Sequence, residues 1–194
     1  HIKNIEGKVR PGTLKNFRNS LGHIKDFAKS KNVSLEIDTI GFDFHFSMVE
    51  YLKTDKKFSI NTIWRINKFL RYILKFATEK GITTRPDYQS SRFAIKPKEP
   101  DVIYLTETEL QTIYNKELNN PKLERVRDLF LIGCYTGLRF SDFNRLNPNN
   151  IKEIDGKQFF KLTTKKTNDP VFIPLHPIVT AIIRKHKGIP KGMS

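Results

Sequence analysis

Apolar residues between positions 13 and 81 recur every three or four residues, which is the spacing of amphipathic helices. One run begins at Thr13, and another covers 60–80, with Ser59 as a candidate N-cap and Gly81 as the C-terminal stop. The aromatic-rich segment 38–57 between them is interpreted as a further helix. The pattern therefore predicts a small all-α unit packed through aromatic side chains.

Helical spacing stops after Gly81, and prolines follow at positions 86, 97 and 100. Such a stretch is typical of an extended linker. We therefore predict a helical domain at 1–84, a linker at 85–104 and a second domain at 105–194.

The second half begins as helices and ends as strands. Thr106 and Glu109 form a capping box, a helix is expected from Leu123 to Tyr135, and a short one near Ser141. Segment 151–175 then alternates with period two around turn residues, which predicts a small antiparallel sheet. A last helix is expected after Pro177. The fold class is mainly α with a small antiparallel β-sheet, the second domain being α+β.

Charge points to the partner. The chain has 35 Lys+Arg against 20 Asp+Glu, a formal net charge of +15, which favours nucleic acid, with an anionic membrane surface second. One cysteine and five scattered histidines give no metal-ligand spacing, so no metal is expected. No apolar run reaches the roughly 18–20 residues that span a bilayer. We expect a soluble, cytoplasmic, DNA-associated protein with no membrane partner.

Basic residues form a stripe on each of two predicted helices, beside the apolar face. The first helix contributes Lys15, Arg18, Lys25 and Lys29, and the helix at 60–80 contributes Arg65, Lys68, Arg71 and Lys75. We predict that these adjoining stripes contact the phosphates of double-stranded DNA, which fixes position rather than sequence. The helical wheel assigns Trp64 to the core-facing side.

The segment TGLRFSD places Arg139 in a glycine-assisted turn at the start of a helix, three residues before Asp142. An arginine can bind two non-bridging phosphate oxygens at once, and a nearby carboxylate can orient its guanidinium. A helix N-terminus would add partial positive charge. Spacing alone also allows an ordinary surface arginine.

TGLRFSD, preceded by RDLFLIGCY and followed by L-x-P-x-x-I, resembles the first active-site box of the tyrosine recombinase (phage integrase) family. IYLTETEL resembles the entry to that family's catalytic domain, and the basic helical unit is similar to its core-binding domain. The resemblance implies that Arg139 contacts the scissile phosphate, supported by Asp142. It also implies a lysine in the sheet that protonates the leaving 5′ oxygen. Aligned from Phe172, this is Lys166, with Lys165 as the alternate.

The same resemblance implies a site-specific recombinase that cuts and rejoins DNA through a 3′-phosphotyrosyl intermediate, without cofactors, and assembles on paired DNA sites. The family's later residues, a His-x-x-Arg box, a further His or Trp and the nucleophilic tyrosine, have no match here, since no tyrosine follows Tyr135. We therefore expect a truncated catalytic domain and a fragment that binds DNA without cleaving it. The alternative is a non-enzymatic DNA-binding module such as a transcriptional regulator.

Overall fold

The structure is a computed structural model that describes residues 7 and 9–190. The chain divides into two compact units, His1–Asp101 and Val102–Ser194. Among the described residues, no helix combines the length and apolar character that crossing a bilayer requires.

The first unit is helical, with α1 at Pro11–Lys31, α2 at Phe42–Thr54 and α3 at Ile60–Glu79. The predicted caps of α3 are confirmed. The Ser59 hydroxyl accepts a hydrogen bond from the amide of Thr62, and Gly81 has a φ of +66°, a conformation that glycine adopts without steric cost.

Aromatic side chains form the core of this unit, as the sequence predicts. Phe27 is fully buried and packs edge-on against Phe44, with ring centroids 5.1 Å apart. Met48 and Leu52 from α2 are also fully buried. Each such side chain contributes about 1.5–3 kcal/mol by leaving water. These contacts hold α1, α2 and α3 together and leave the outer face of α3 to solvent.

The segment after α3 differs from the predicted linker at 85–104. Residues Asp87–Gln89 and Ser91–Phe93 form 3-10 turns, and Tyr88 and Phe93 are buried in the core of the first unit. The side-chain amide of Asn67 donates to the carbonyl of Phe93 over 2.8 Å. Proline excludes a helix here but does not exclude packing, so two buried aromatics attach this segment to the first unit.

The second unit combines helices with a three-stranded antiparallel sheet whose strands lie side by side in sequence order. The elements are α4 Glu107–Asn115, α5 Pro121–Thr136, α6 Phe140–Phe143, β1 Ile151–Ile154, β2 Lys157–Thr163, β3 Pro170–Pro174 and α7 Pro177–Lys185. The capping box is present: the Thr106 hydroxyl accepts from the Glu109 amide, and the Glu109 carboxylate accepts from the Thr106 amide. The fold class predicted from the sequence is confirmed.

The sheet packs on α5 and α7 through one fully buried side chain, Phe160, which pairs across the strands with Ile151 and Ile173. Asp155 and Gly156 connect β1 to β2, both with positive φ. Such a tight turn fixes the register of the hairpin. β2 and β3 are joined by the longer turn 164–169, which carries the lysines considered below.

A buried carboxylate also joins α5 to α7. Asp128 is fully buried, and its Oδ2 atom lies 2.8 Å from Lys185 Nζ and 2.7 Å from His186 Nε2. Its Oδ1 atom accepts from Arg127 Nε over 2.9 Å. The carboxylate therefore has charged hydrogen-bond partners on both oxygens.

Candidate functional site

Arg139 stands at the point where the chain leaves α5 and enters α6. Gly137 has a φ of +62° and ends α5, which lets the chain reverse direction. Leu138 and Phe143 pack against the apolar core of the second unit, whereas the intervening Arg139 is exposed. Its carbonyl accepts from the amide of Asp142 over 2.7 Å and begins α6. The turn thus leaves the Arg139 side chain exposed.

The helix that follows Arg139 is shorter than the anion-binding hypothesis requires. Helix α6 covers only Phe140–Phe143, and Arg139 is its N-cap residue without a side-chain capping bond. A single turn sums few peptide dipoles, so its partial charge is small. Any anion at this turn must therefore be held by side chains.

Asp142 is fully buried and connects α6 to the lysine turn. Its Oδ1 atom accepts a hydrogen bond from the backbone amide of Lys165 over 2.7 Å, and Arg145 Nη2 lies 2.9 Å from the same oxygen. The amide of Lys165 is the main cause of the lowered pKa of Asp142. The charges of Arg145 and Arg139 act in the same direction, against the opposing effect of burial. Asp142 therefore stays ionised at neutral pH.

The turn between β2 and β3 is held by its own hydrogen bonds. The amide of Thr164 donates to the carbonyl of Asp169 over 2.9 Å, and the hydroxyls of Thr164 and Thr167 are 2.8 Å apart. Asn168 takes the left-handed conformation with a φ of +63°. Lys165 and Lys166 are exposed within this ordered turn. Their backbone is thus held in place next to α6 by the carboxylate of Asp142.

Arg145 is a member of this site that the sequence analysis did not select. Its Nη2 atom donates to the carbonyl of Thr163 over 3.0 Å, and its Nε atom donates to the carbonyl of Ser141 over 3.2 Å. The ion pair of Asp142 is made with Arg145, whereas Arg139 acts on Asp142 through its charge. The spacing of three residues between Asp142 and Arg145 is a signal that could have identified this pair.

Loss of the Asp142 carboxylate is expected to loosen the lysine turn. In Asp142→Asn we expect the Lys165 amide to exchange with solvent about tenfold faster or more, because a hydrogen bond to a charged acceptor is stronger than one to a neutral acceptor. Amide hydrogen exchange followed by NMR measures this. Glu153→Gln, at an exposed carboxylate on β1, is the matched control. Unchanged exchange at Lys165 would contradict the proposed link.

The basic stripe of α3 lies on the face opposite the core. Arg65, Lys68 and Lys75 are exposed, and Arg71 is half-buried with its Nε donating to the carbonyl of Tyr88 over 3.0 Å. Lys75 forms a surface ion pair with Glu79 at 3.8 Å. These four cations line two grooves that run along α3, with volumes of about 410 and 280 Å³.

The basic stripe predicted on α1 is exposed and is separate from the two α3 grooves. Lys15, Arg18, Lys25 and Lys29 are exposed on α1. The part of α1 that lines the smaller α3 groove is formed by Thr13, Asn16, Phe17 and Ser20. Among the described residues, no cation of the α1 stripe lines either groove. The two stripes therefore do not share one groove.

Trp64 is not a core residue, in contrast to the prediction from the helical wheel. It is half-buried, lies outside the buried cluster of the first unit and lines both α3 grooves together with Lys68 and Tyr72. The Lys68 ammonium lies 5.2 Å from the centroid of its ring. Trp64 lies 100° around the helix from Ile63, at the edge of the apolar face of α3. Tertiary packing leaves it outside the core.

Comparison with known proteins identifies the first unit and the overall fold. The family model of the phage integrase SAM-like domain matches residues 1–95. Comparison with curated proteins gives no match. Among solved structures, a lambda integrase dimer bound to a COC′ core site has a TM-score of 0.71 at 20% identity, covering 96% of this chain and 66% of that one.

Two further structures share the fold. The Tn1549 transposon integrase in complex with circular intermediate DNA has a TM-score of 0.69 at 19% identity, covering 94% of this chain and 61% of that one. The XerH site-specific recombinase bound to difH has a TM-score of 0.62 at 14% identity, covering 89% of this chain and 50% of that one. The chain thus spans about half to two thirds of the length of these structures.

The match of the SAM-like domain and the shared fold agree with the residues that carry the resemblance in both units. The first unit therefore matches the phage integrase SAM-like domain, and the chain shares the fold of solved integrases and a site-specific recombinase.

Proposed function

We propose that the full-length protein carrying this chain is a site-specific DNA recombinase. Its first unit would bind duplex DNA, and its second unit would hold the phosphate that is cut. The observation that carries this proposal is the carboxylate of Asp142, which ties the turn bearing Arg139 to the turn bearing Lys165 and Lys166. Several cations therefore lie around one buried carboxylate. Their positive charge exceeds its single negative charge, and the excess suits the binding of a phosphodiester.

In the proposed reaction, Arg139 donates two hydrogen bonds to the non-bridging oxygens of the phosphate and stabilises the charge of the transition state. Within the described part of the chain, Asp142 Oδ2 is buried and accepts no hydrogen bond. We assign this oxygen to orienting Arg139. A tyrosine from outside these 194 residues attacks phosphorus, the bond to the 5′ oxygen breaks, and Lys166 gives that oxygen its proton. A 5′ hydroxyl then attacks the phosphorus of the phosphotyrosyl link, the bond to the tyrosine oxygen breaks, and the released tyrosine takes up the proton, which rejoins the strand.

Residues 1–194 by themselves are proposed to bind duplex DNA without becoming covalently attached, since no tyrosine follows Tyr135. Lambda integrase has been solved as a dimer on a core site and as a tetramer on a Holliday junction, which supports the proposal that the full-length protein assembles on paired DNA sites. A non-enzymatic DNA-binding module remains the alternative. It would need the basic face of α3 but would have no use for the cations around Asp142.

Binding by the first unit is tested through its salt dependence. Each neutralised phosphate contributes about −0.9 to the slope of log K against log salt concentration. We therefore expect Lys68→Gln to make the slope less negative by about that amount. Anisotropy of a labelled duplex, titrated at several salt concentrations, measures it. Lys53→Gln, at an exposed lysine on α2, is the control and should leave the slope unchanged. Equal slopes for both variants would remove Lys68 from the phosphate contacts, and a flat slope for the wild-type chain would remove the phosphate contacts altogether.

A further inference from the structure

Trp64, Lys68 and Tyr72 form a ridge along the outer face of α3. Their spacing of four residues places them on one side of the helix. All three line both α3 grooves, so the ridge stands between the two grooves. We call these three residues the α3 ridge.

Cations border the α3 ridge on both sides. Arg71 and Lys75 line the larger groove, and Arg65 lines the smaller one. The surface therefore carries two aromatic rings with Lys68 between them, and its margins are positive. This order suits a ligand that presents apolar or aromatic groups between two rows of negative charge.

The aromatic rings of the ridge are already positioned. The ring of Tyr72 stacks on that of Phe17 from α1, with centroids 5.2 Å apart and planes at 29°, and the residue remains 38% exposed. Trp64 lies beneath the ammonium of Lys68 at 5.2 Å. Rings held in this way lose little conformational entropy on binding. A half-exposed tryptophan outside the core is also the kind of side chain that binding surfaces use.

Duplex DNA has the matching arrangement. Its major groove, about 12 Å wide, admits an α-helix, with phosphates on both margins and base edges between them. Cations that contact phosphate carry no sequence information, whereas side chains that reach base edges do, including apolar contacts to the thymine methyl group. On such a surface the two aromatic rings would contact base edges, and the cations would contact phosphates.

We propose that the α3 ridge enters a groove of duplex DNA, where Trp64 and Tyr72 contact base edges and determine sequence preference. This inference rests on the proposed function, since it requires that the first unit binds duplex DNA. It extends that function by assigning sequence preference to Trp64 and Tyr72 and phosphate contacts to the cations of α3.

Trp64 is the only tryptophan in the chain, so its fluorescence reports on the ridge directly. We expect a duplex to change the intensity or wavelength of its emission over the same concentration range in which a labelled duplex gains anisotropy. An emission that stays constant while the duplex binds would overturn the inference and leave the proposed function standing. Absence of any duplex binding would instead remove the proposed function.

Sequence preference is tested by selecting bound duplexes from a randomised pool. We expect Trp64→Ala and Tyr72→Ala to weaken affinity for the selected duplex about tenfold and to flatten the preference, with an unchanged salt slope. Lys68→Gln should keep the preference and change the slope. Trp64→Phe keeps an aromatic ring and tests whether a ring alone suffices. Circular dichroism checks that each variant is folded. Phe46→Ala, at an aromatic residue of α2 that is 43% exposed, is the matched control.

The outcomes separate the alternatives. Preference and affinity that survive in both alanine variants would overturn the inference, as would a wild-type chain that binds duplexes without preference. Tighter binding of a single strand than of the duplex, lost in the same variants, would show that the ridge stacks on unpaired bases and would also overturn it.

Discussion

In the full-length protein, Arg139→Ala is expected to lower the rate of covalent protein–DNA adduct formation by about 10²–10³-fold while duplex affinity is largely retained. The reason is that a guanidinium aimed at the phosphate stabilises charge that develops in the transition state, whereas binding depends on many phosphate contacts elsewhere. A suicide duplex that traps the adduct, followed in a single turnover, measures the rate. Arg139→Lys is the matched control. It keeps the charge and loses the planar guanidinium, so its rate should lie between those of the wild-type protein and Arg139→Ala.

An Arg139→Ala protein that forms the adduct at the normal rate would remove Arg139 from the proposed mechanism. A full-length protein that binds DNA and forms no adduct at all would favour the non-enzymatic DNA-binding module.

The same assay decides between the two lysines. Lys166→Ala should slow the adduct and Lys165→Ala should not, if Lys166 is the proton donor.

A substrate whose bridging 5′ oxygen is replaced by sulfur makes the lysine test sharper. A thiolate leaves without protonation because its conjugate acid is much stronger than an alcohol. The sulfur substrate should therefore restore the rate of Lys166→Ala and leave Arg139→Ala slow. Rescue of Lys165→Ala instead would exchange the roles of the two lysines.

Asp128→Ala is expected to destabilise the second unit by about 1.5–3 kcal/mol, because it removes the buried charged acceptor of the hydrogen bonds from Lys185, His186 and Arg127. Asp128 is fully buried, and Lys185 Nζ and His186 Nε2 lie 2.8 and 2.7 Å from its Oδ2 atom. Urea denaturation followed by circular dichroism measures the loss, and hydrogen exchange in α5 and α7 locates it. Glu124→Gln, which removes the partly exposed partner of Lys185, should cost about 1 kcal/mol or less. Equal losses in the two variants would contradict the role given to Asp128.

The same carboxylate gives the stability a defined pH dependence. Burial raises the pKa of Asp128, but hydrogen bonds from Lys185, His186 and Arg127 outweigh burial, and the net pKa is lowered from 3.8. A lowered carboxyl pKa contributes stability above the unfolded value, and this contribution is lost as pH falls through the folded value. We therefore expect the wild-type chain to lose its advantage over Asp128→Asn only below about pH 4. Denaturation of both chains across this range measures it.

Helices, caps and turns of this protein were determined by the sequence alone because they depend on neighbours within a few residues. The Ser59 cap, the Thr106–Glu109 capping box and the Asp155–Gly156 turn each satisfy backbone groups within three positions. The segment that carries Arg139 was found in the same way, since its residues are consecutive. The roles of Arg139, Lys166 and the α3 cations stay predictions.

Other features were decided only by tertiary structure, because they depend on contacts between residues far apart in the chain. Asn67 bonds to Phe93 over 26 positions, and this contact attaches a segment with the composition of a linker to the first core. Asp142 meets the amide of Lys165 over 23 positions, which brings two exposed turns together. Trp64 was left outside the core for the same reason. The periodicity of the sequence predicts which face of a helix is apolar. Only packing decides which residues at the edge of that face are buried.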